Sequence, residues 1–403
     1  MTISVGFLEV GELGRKFDRS LYKTIVITVL SLFVMGFIGF NIAFGPAYDG
    51  IIGNPLYTHI FLGMFSTSFS RGLTSVYSLT GASFFNAGGL YTSTFFLFET
   101  ACASVTLALV GVVVMKKVKL SSFAIYSVFY FAVIWTLPAA WIWNPTGWLY
   151  VMGVRDFAGG LVVHGAAGFA ALAILVRIWQ EERKQGLKES KQIGYNLSSG
   201  WLTLSIILLW IGWFGFNPGT ELTFNSETIV VVITTFLSAA SSMITTILIK
   251  YLLTRKDPGL LYAVNGILMG LIVITPLAGF VSPGSAVVIG LLSGPLFLFA
   301  EWIFNKPKWY SDPVGVLECH MAGGVTGLLL IAFFTQTAFA GASGAPNLPS
   351  GLFFGGGLAA MHQLGLEAFA VVVVGAFVFS ISYLVIYFIS KISKGILIKE
   401  EYD

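Results

Sequence analysis

Charged residues punctuate this chain at long intervals, and the stretches between them are nearly uninterrupted runs of apolar and small residues. At about 1.5 Å per helical residue, a run of about 20 residues crosses the roughly 30 Å hydrocarbon core of a bilayer. The pattern predicts ten such helices, near 24–46, 88–115, 121–143, 157–178, 197–217, 227–250, 260–280, 285–304, 313–335 and 365–391. The stretch from Pro258 to Ala300 carries no charge and is too long for one helix; Thr275-Pro276 and Ser282-Pro283-Gly284 supply its break. Pro138 predicts a kink within the third span.

Composition agrees with that reading. Of 403 residues, 56% are hydrophobic and 10% charged, against about 25% charged in soluble domains. The fold class expected is an all-α polytopic membrane protein with ten transmembrane helices, a transmembrane domain over 21–392, an N-terminal segment over 1–20 and a short tail over 393–403. A net charge of +3 is too small for a surface that tracks nucleic-acid phosphates. Cys102 and Cys319 both lie in apolar runs, so they form no secreted disulfide framework.

The basic residues set the topology. Of 22 Lys and Arg, only Arg71 and Arg155 fall in alternate connections; the rest lie before span one, in every second loop or after span ten. By the positive-inside rule both termini are cytoplasmic, and the loops over 47–89 and 337–365 are external, packing over the outer mouth. Residues 1–20 lack the apolar core of a cleavable signal peptide.

Two segments share the pattern D-x-x-G-x(4)-H-x(3)-G: Asp156 to Gly168, with His164, and Asp312 to Gly324, with His320. They open spans four and nine, which enter from opposite sides, so the chain carries an inverted-topology repeat of the kind that places a substrate site near the midplane. Each His lies about 12 Å inside its Asp, close to the middle of the bilayer. Gly165 to Gly168 and Ala322 to Gly324 are small enough for close helix approach. One such His reads equally well as a satisfied packing residue; two at symmetric depth favour a pore pair. Cys319 and Glu318 point to other sides of the helix than His320, which argues against a metal site. No nucleophile or metal cluster stands beside the pair, so no enzyme activity and no cofactor are expected.

These segments, with Gly212-Trp-Phe-Gly-Phe216-Asn-Pro-Gly-Thr220, Asn265-Gly266 through Thr275-Pro276, and the His320-Met-Ala-Gly-Gly-Val-Thr-Gly run, resemble the ammonium transporter (Amt/Mep/Rh) family over roughly residues 24–392. The resemblance implies ammonium uptake across the cell membrane by a homotrimer, with one pore per subunit lined by His164 and His320. It implies an outer recruitment site at Thr220 and at Trp143, with Trp148 as the substitute, and a gate at Phe216. Aligned with the family pattern, Cys102 stands where the outer gate Phe is expected and Glu99 where a Gln is usual; Phe98, one turn away, is the alternative gate residue. The chain starts at what resembles the family's second span, which weakens the trimer inference, and its short tail argues against docking of a PII-type signal protein. Asp156 and Asp312 read as helix-capping, site-shaping carboxylates. Glu99 reads either as the partner of a neighbouring helix or as negative potential near the outer mouth. His59 and His362 read as solvated or interfacial. Electrogenic uptake is expected, with a neutral gas channel and an ammonium sensor as alternatives.

Overall fold

The computed structural model describes residues 1–13, 17–55, 92–114, 117–186, 198–312 and 314–398. Among them, ten helices are long and apolar enough to cross a membrane: Ser20–Phe44, Ser93–Val114, Leu120–Ile142, Gly160–Lys184, Ser199–Gly219, Ser226–Thr254, Gly259–Leu277, Pro283–Phe304, Val316–Phe334 and Gly357–Ile392. The number and order agree with the reading from charge spacing. The tenth starts at Gly357, eight residues earlier than expected, because His362, Gln363 and Glu367 continue an apolar helix rather than end a loop. The rest of the 337–365 connection folds into a short helix, Thr337–Ala342, and a 3-10 turn, Leu352–Phe354. Of the first long loop, only a small antiparallel hairpin, Ala47–Tyr48 with Ile52–Gly53, falls among the described residues; His59 and Arg71 lie outside them.

The spans begin and break for local reasons. Asn225 caps span six, accepting from the backbone of Glu227 and Thr228 while Thr228 Oγ1 accepts from the Asn225 N–H, and Ser282 followed by Pro283 opens span eight. The distortion in span three is a π turn over Tyr130–Ile134, in which Trp135 N–H reaches back to Tyr130 O, just ahead of Pro138. Buried hydroxyls stitch neighbouring spans: Thr234 donates to Ala278 O at 2.9 Å and Ser238 to Gly270 O at 2.8 Å.

Ahead of the spans lies a further helix, α1 (Thr2–Leu13), in the segment expected only to precede them. It packs along span five, span one and span two. A Cβ on Gly11 would stand 2.6 Å from Leu202 N, and one on Gly212 would stand 2.3 Å from Met1 Cγ. Helix α1 therefore runs antiparallel to span five, with its end near the start of that span.

The end of the molecule that carries the Lys and Arg residues is tied by ion pairs: Glu9 with Lys23, Lys117 with Glu182 at 2.7 Å, Arg177 with Glu181 at 3.0 Å, and Lys250 with Glu301 at 3.3 Å. The tail joins them. Ile396 N–H donates to Glu181 and Ile396 O accepts from Lys119 N–H, pinning the chain after span ten to the connection after span two.

Candidate functional site

Each half of the repeat folds the same way at its histidine. Gly159 and Gly315 adopt φ of 105° and 70°, a left-handed conformation that glycine takes without cost. Each is followed by a π turn, Gly160–Gly165 and Val316–Met321, with His164 and His320 in its last residues. The Asp of each motif serves the free N–H groups at the helix start. Asp156 Oδ1 accepts from Gly159 and Gly160 at 2.9 and 2.6 Å, and Oδ2 from Leu161 and Val162 at 2.8 and 3.0 Å. Asp312 Oδ2 accepts from Leu317 at 2.6 Å, while its Oδ1 has no partner. Burial pushes both carboxyls up, Asp312 to about 6, and the backbone N–H groups oppose that shift.

The two histidines meet. His164 Nδ1 and His320 Nδ1 stand 3.1 Å apart, with both side chains buried. Spans four and nine reach this distance through reciprocal small residues: a Cβ on Gly324 would lie 2.2 Å from Gly160 O, and one on Gly168 would lie 2.3 Å from Met321 Cβ. Trp213 stacks on the His164 ring at 5.6 Å and 18°, and Phe216 tilts against it at 6.1 Å. Trp213 is itself fixed, since its Nε1–H donates to Thr275 Oγ1, which donates to Asn217 Oδ1. The sequence segment from Gly212 to Thr220 thus builds one wall beside the pair.

Toward the end of the spans poor in Lys and Arg, a cavity is lined by Phe98, Glu99, Cys102, Trp143, Asp156 and Thr220, together with Phe44, Phe95, Arg155 and Phe280 among others. Trp143 donates its indole N–H to the Asp156 carbonyl at 2.7 Å, which leaves its ring face as the group it offers. Thr220 donates to Phe216 O at 3.2 Å, so its oxygen lone pairs are free to accept. Trp148 packs instead against Trp141 and Phe369 and does not line the cavity. Glu99 is buried with Oε2 unpartnered.

Arg155, which the sequence marked only as a basic residue in an alternate connection, lines the same cavity. Its Nη1 donates to Tyr150 O and Val154 O, its guanidinium lies 4.0 Å from the Tyr150 ring centre, and its backbone N–H donates to Glu367 Oε1 on span ten. Glu367, an acidic residue inside an apolar run, was the visible signal for that tie. His362 is exposed on span ten.

A buried histidine pair where two inverted-repeat helices meet, near an aromatic cavity, is the arrangement of a polytopic membrane protein with a polar site in its interior. Over residues 1–403 the sequence fits the Ammonium Transporter Family, and the chain belongs to that family. It is similar to ammonium transporter Amt1 of Archaeoglobus fulgidus, 30% identical over 85% of this chain and 80% of the relative. With the ammonium transporter of Bacillus subtilis it shares 31% identity over 74% of this chain and 69% of the relative. A solved structure described as a sensor Amt protein superposes with a TM-score of 0.79 at 26% identity, covering 99% of this chain and 91% of that one.

Proposed function

We propose that the protein takes up ammonium across the cell membrane by recruiting the cation in the aromatic cavity, deprotonating it, and passing ammonia along the His164–His320 pair. The observation that carries the reading is the 3.1 Å contact between the two buried Nδ1 atoms, linked through Phe216 to Thr220 in the wall of an aromatic cavity. Its orientation follows the basic residues: the cavity faces outward and both termini face the cytoplasm.

The energetics favour splitting the substrate. Taking a bare cation into low dielectric costs of order 20 kcal/mol in the Born limit. Amines titrate between about 8 and 10, so removing the proton at neutral pH costs about 1.5 to 4 kcal/mol, at about 1.36 per unit. The Trp143 ring supplies cation–π attraction and Thr220 a hydrogen-bond acceptor for the cation. Phe216 and Phe98 narrow the way to the pair, and Cys102 leaves that gate wider than a second phenyl ring would. The neutral imidazoles then offer hydrogen-bond positions in an otherwise apolar tube, and the proton left behind is relayed between them, so that net charge crosses. The resemblance that implies this mechanism also implies a homotrimer.

The deciding experiment is an ammonium jump on proteoliposomes, with potassium and methylammonium controls. An ammonium-selective current that is lost in His164→Ala supports the mechanism. No current, with an ammonia-driven internal pH change intact, replaces it with a neutral gas channel. Loss of both leaves a sensor.

A further inference from the structure

Glu99 lies six residues into span two, about 9 Å along it, and lines the aromatic cavity together with Cys102, one turn further on the same face. Its side chain is buried, and among the described residues nothing hydrogen-bonds its Oε2.

A cavity that takes a proton from ammonium needs a group able to accept it. The titratable side chains that line this one are Glu99, Cys102, Tyr150, Arg155 and Asp156. Four of the five are unsuited. Cys102 and Tyr150 already carry their hydrogens at neutral pH, and Arg155 stays protonated throughout. Asp156 has each carboxylate oxygen committed to two backbone N–H groups, which occupies its lone pairs. The carboxylate of Glu99 is left.

The surroundings favour the transfer. An ammonium ion beside a carboxylate places two charges among Phe98, Trp143 and Phe280. Moving one proton removes both charges, so a low dielectric stabilises the neutral acid and ammonia relative to the ion pair.

We infer that Glu99 is the proton acceptor of the aromatic cavity. The N–H bond breaks with its electron pair staying on nitrogen, an O–H bond forms at Glu99 Oε2, and neutral ammonia moves on to the histidine pair. The proton then passes from Oε2 to the relay between His164 and His320, which restores the carboxylate. The inference rests on the transport reading for its substrate. The family pattern has a Gln at this position, and an amide offers hydrogen bonds but takes up no proton, so the role belongs to this chain.

The test pairs ammonium currents with infrared difference spectra. In proteoliposomes Glu99→Gln, which keeps the size of the side chain, lowers the maximal ammonium current at least tenfold, and Glu99→Asp, which keeps a carboxylate, recovers most of it. A current in Glu99→Gln within twofold of the unaltered protein overturns the inference, and so does an equal loss in both variants, which makes the side chain structural. Ammonium added to the unaltered protein in bilayers gives the infrared band of a newly protonated carboxyl, which shifts when glutamate is isotope-labelled and loses that shift in Glu99→Asp. Absence of the band overturns the inference whether or not the variants fold. The band in a protein that carries no ammonium flux keeps Glu99 as a proton acceptor and removes the transport reading, whereas flux without the band removes Glu99 and keeps transport.

Discussion

His164 Nδ1 faces His320 Nδ1 at 3.1 Å, and the Nε2 of His164 has no partner. One Nδ1 must carry a hydrogen and the other accept it, so the pair holds one shared proton and excludes a state in which both nitrogens are donors. His164→Ala and His320→Ala each remove the relay and strand the remaining nitrogen in a dry site. Ammonium current falls at least tenfold in both, and the melting midpoint falls by the equivalent of about 1 to 3 kcal/mol. Unchanged current in both variants would place conduction elsewhere.

Gly324 sets the distance between the halves. A Cβ there would meet Gly160 O at 2.2 Å and His164 Cβ at 3.0 Å, and both neighbours belong to a packed helix that cannot yield without moving. Gly324→Leu costs about 1 to 3 kcal/mol or more and separates the imidazoles. Melting curves in detergent should show the loss of stability, and transport should fall with it.

Asp156 holds four backbone N–H groups. Hydrogen bonds to a charged acceptor contribute about 1.5 to 3 kcal/mol each, and an orphaned buried donor is costly. Asp156→Ala is expected to abolish folding or lower the melting midpoint steeply, whereas Asp156→Asn, which keeps one acceptor oxygen, retains part of the stability. Equal stability of the two variants would mean that water replaces the carboxylate.

Cys102 lines the cavity beside Phe98 and Glu99. Cys102→Phe adds an aromatic ring to the wall of the cavity and is expected to lower methylammonium uptake more than ammonium uptake, measured as radiolabelled methylammonium accumulation against ammonium current. A variant that admits both amines as before would show that the gate does not lie at this level.

Glu221, in the connection between spans five and six, is buried, and burial pushes its carboxyl up to about 7. The folded protein therefore binds this proton more tightly than the unfolded chain, whose carboxyl titrates near 4.3, and stability falls as pH rises between those values. Glu221→Gln removes the penalty: its melting midpoint should exceed that of the unaltered protein at pH 8 and converge with it near pH 4. A difference that does not change with pH would assign the effect to packing.

The ten spans were legible because a bilayer imposes a simple requirement, a long apolar run between charges, that each segment meets by itself. The repeated Asp, Gly and His spacing was legible for a similar reason: one carboxylate, one left-handed residue and one imbalance in hydrogen bonding define the local turn. The preference for Trp143 over Trp148 came only from the family pattern, and the structural reason that Trp143 faces the cavity, its indole N–H on the carbonyl of Asp156 thirteen residues on, was not legible. Arg155 was legible only as a basic residue on the sparsely charged side, because its backbone tie to Glu367 joins residues 212 apart in the chain.

By itself the sequence determined the class of protein, the number and order of spans and the two residues at the centre, since those depend on hydropathy, chain length and short-range spacing. Tertiary structure decided the rest. The π turns carry each histidine, the packing of Gly168 and Gly324 brings the two Nδ1 atoms to 3.1 Å, and helix α1 lies along span five. Each of these depends on contacts between segments distant in sequence, and a spacing along one helix cannot specify what a second helix will place against it.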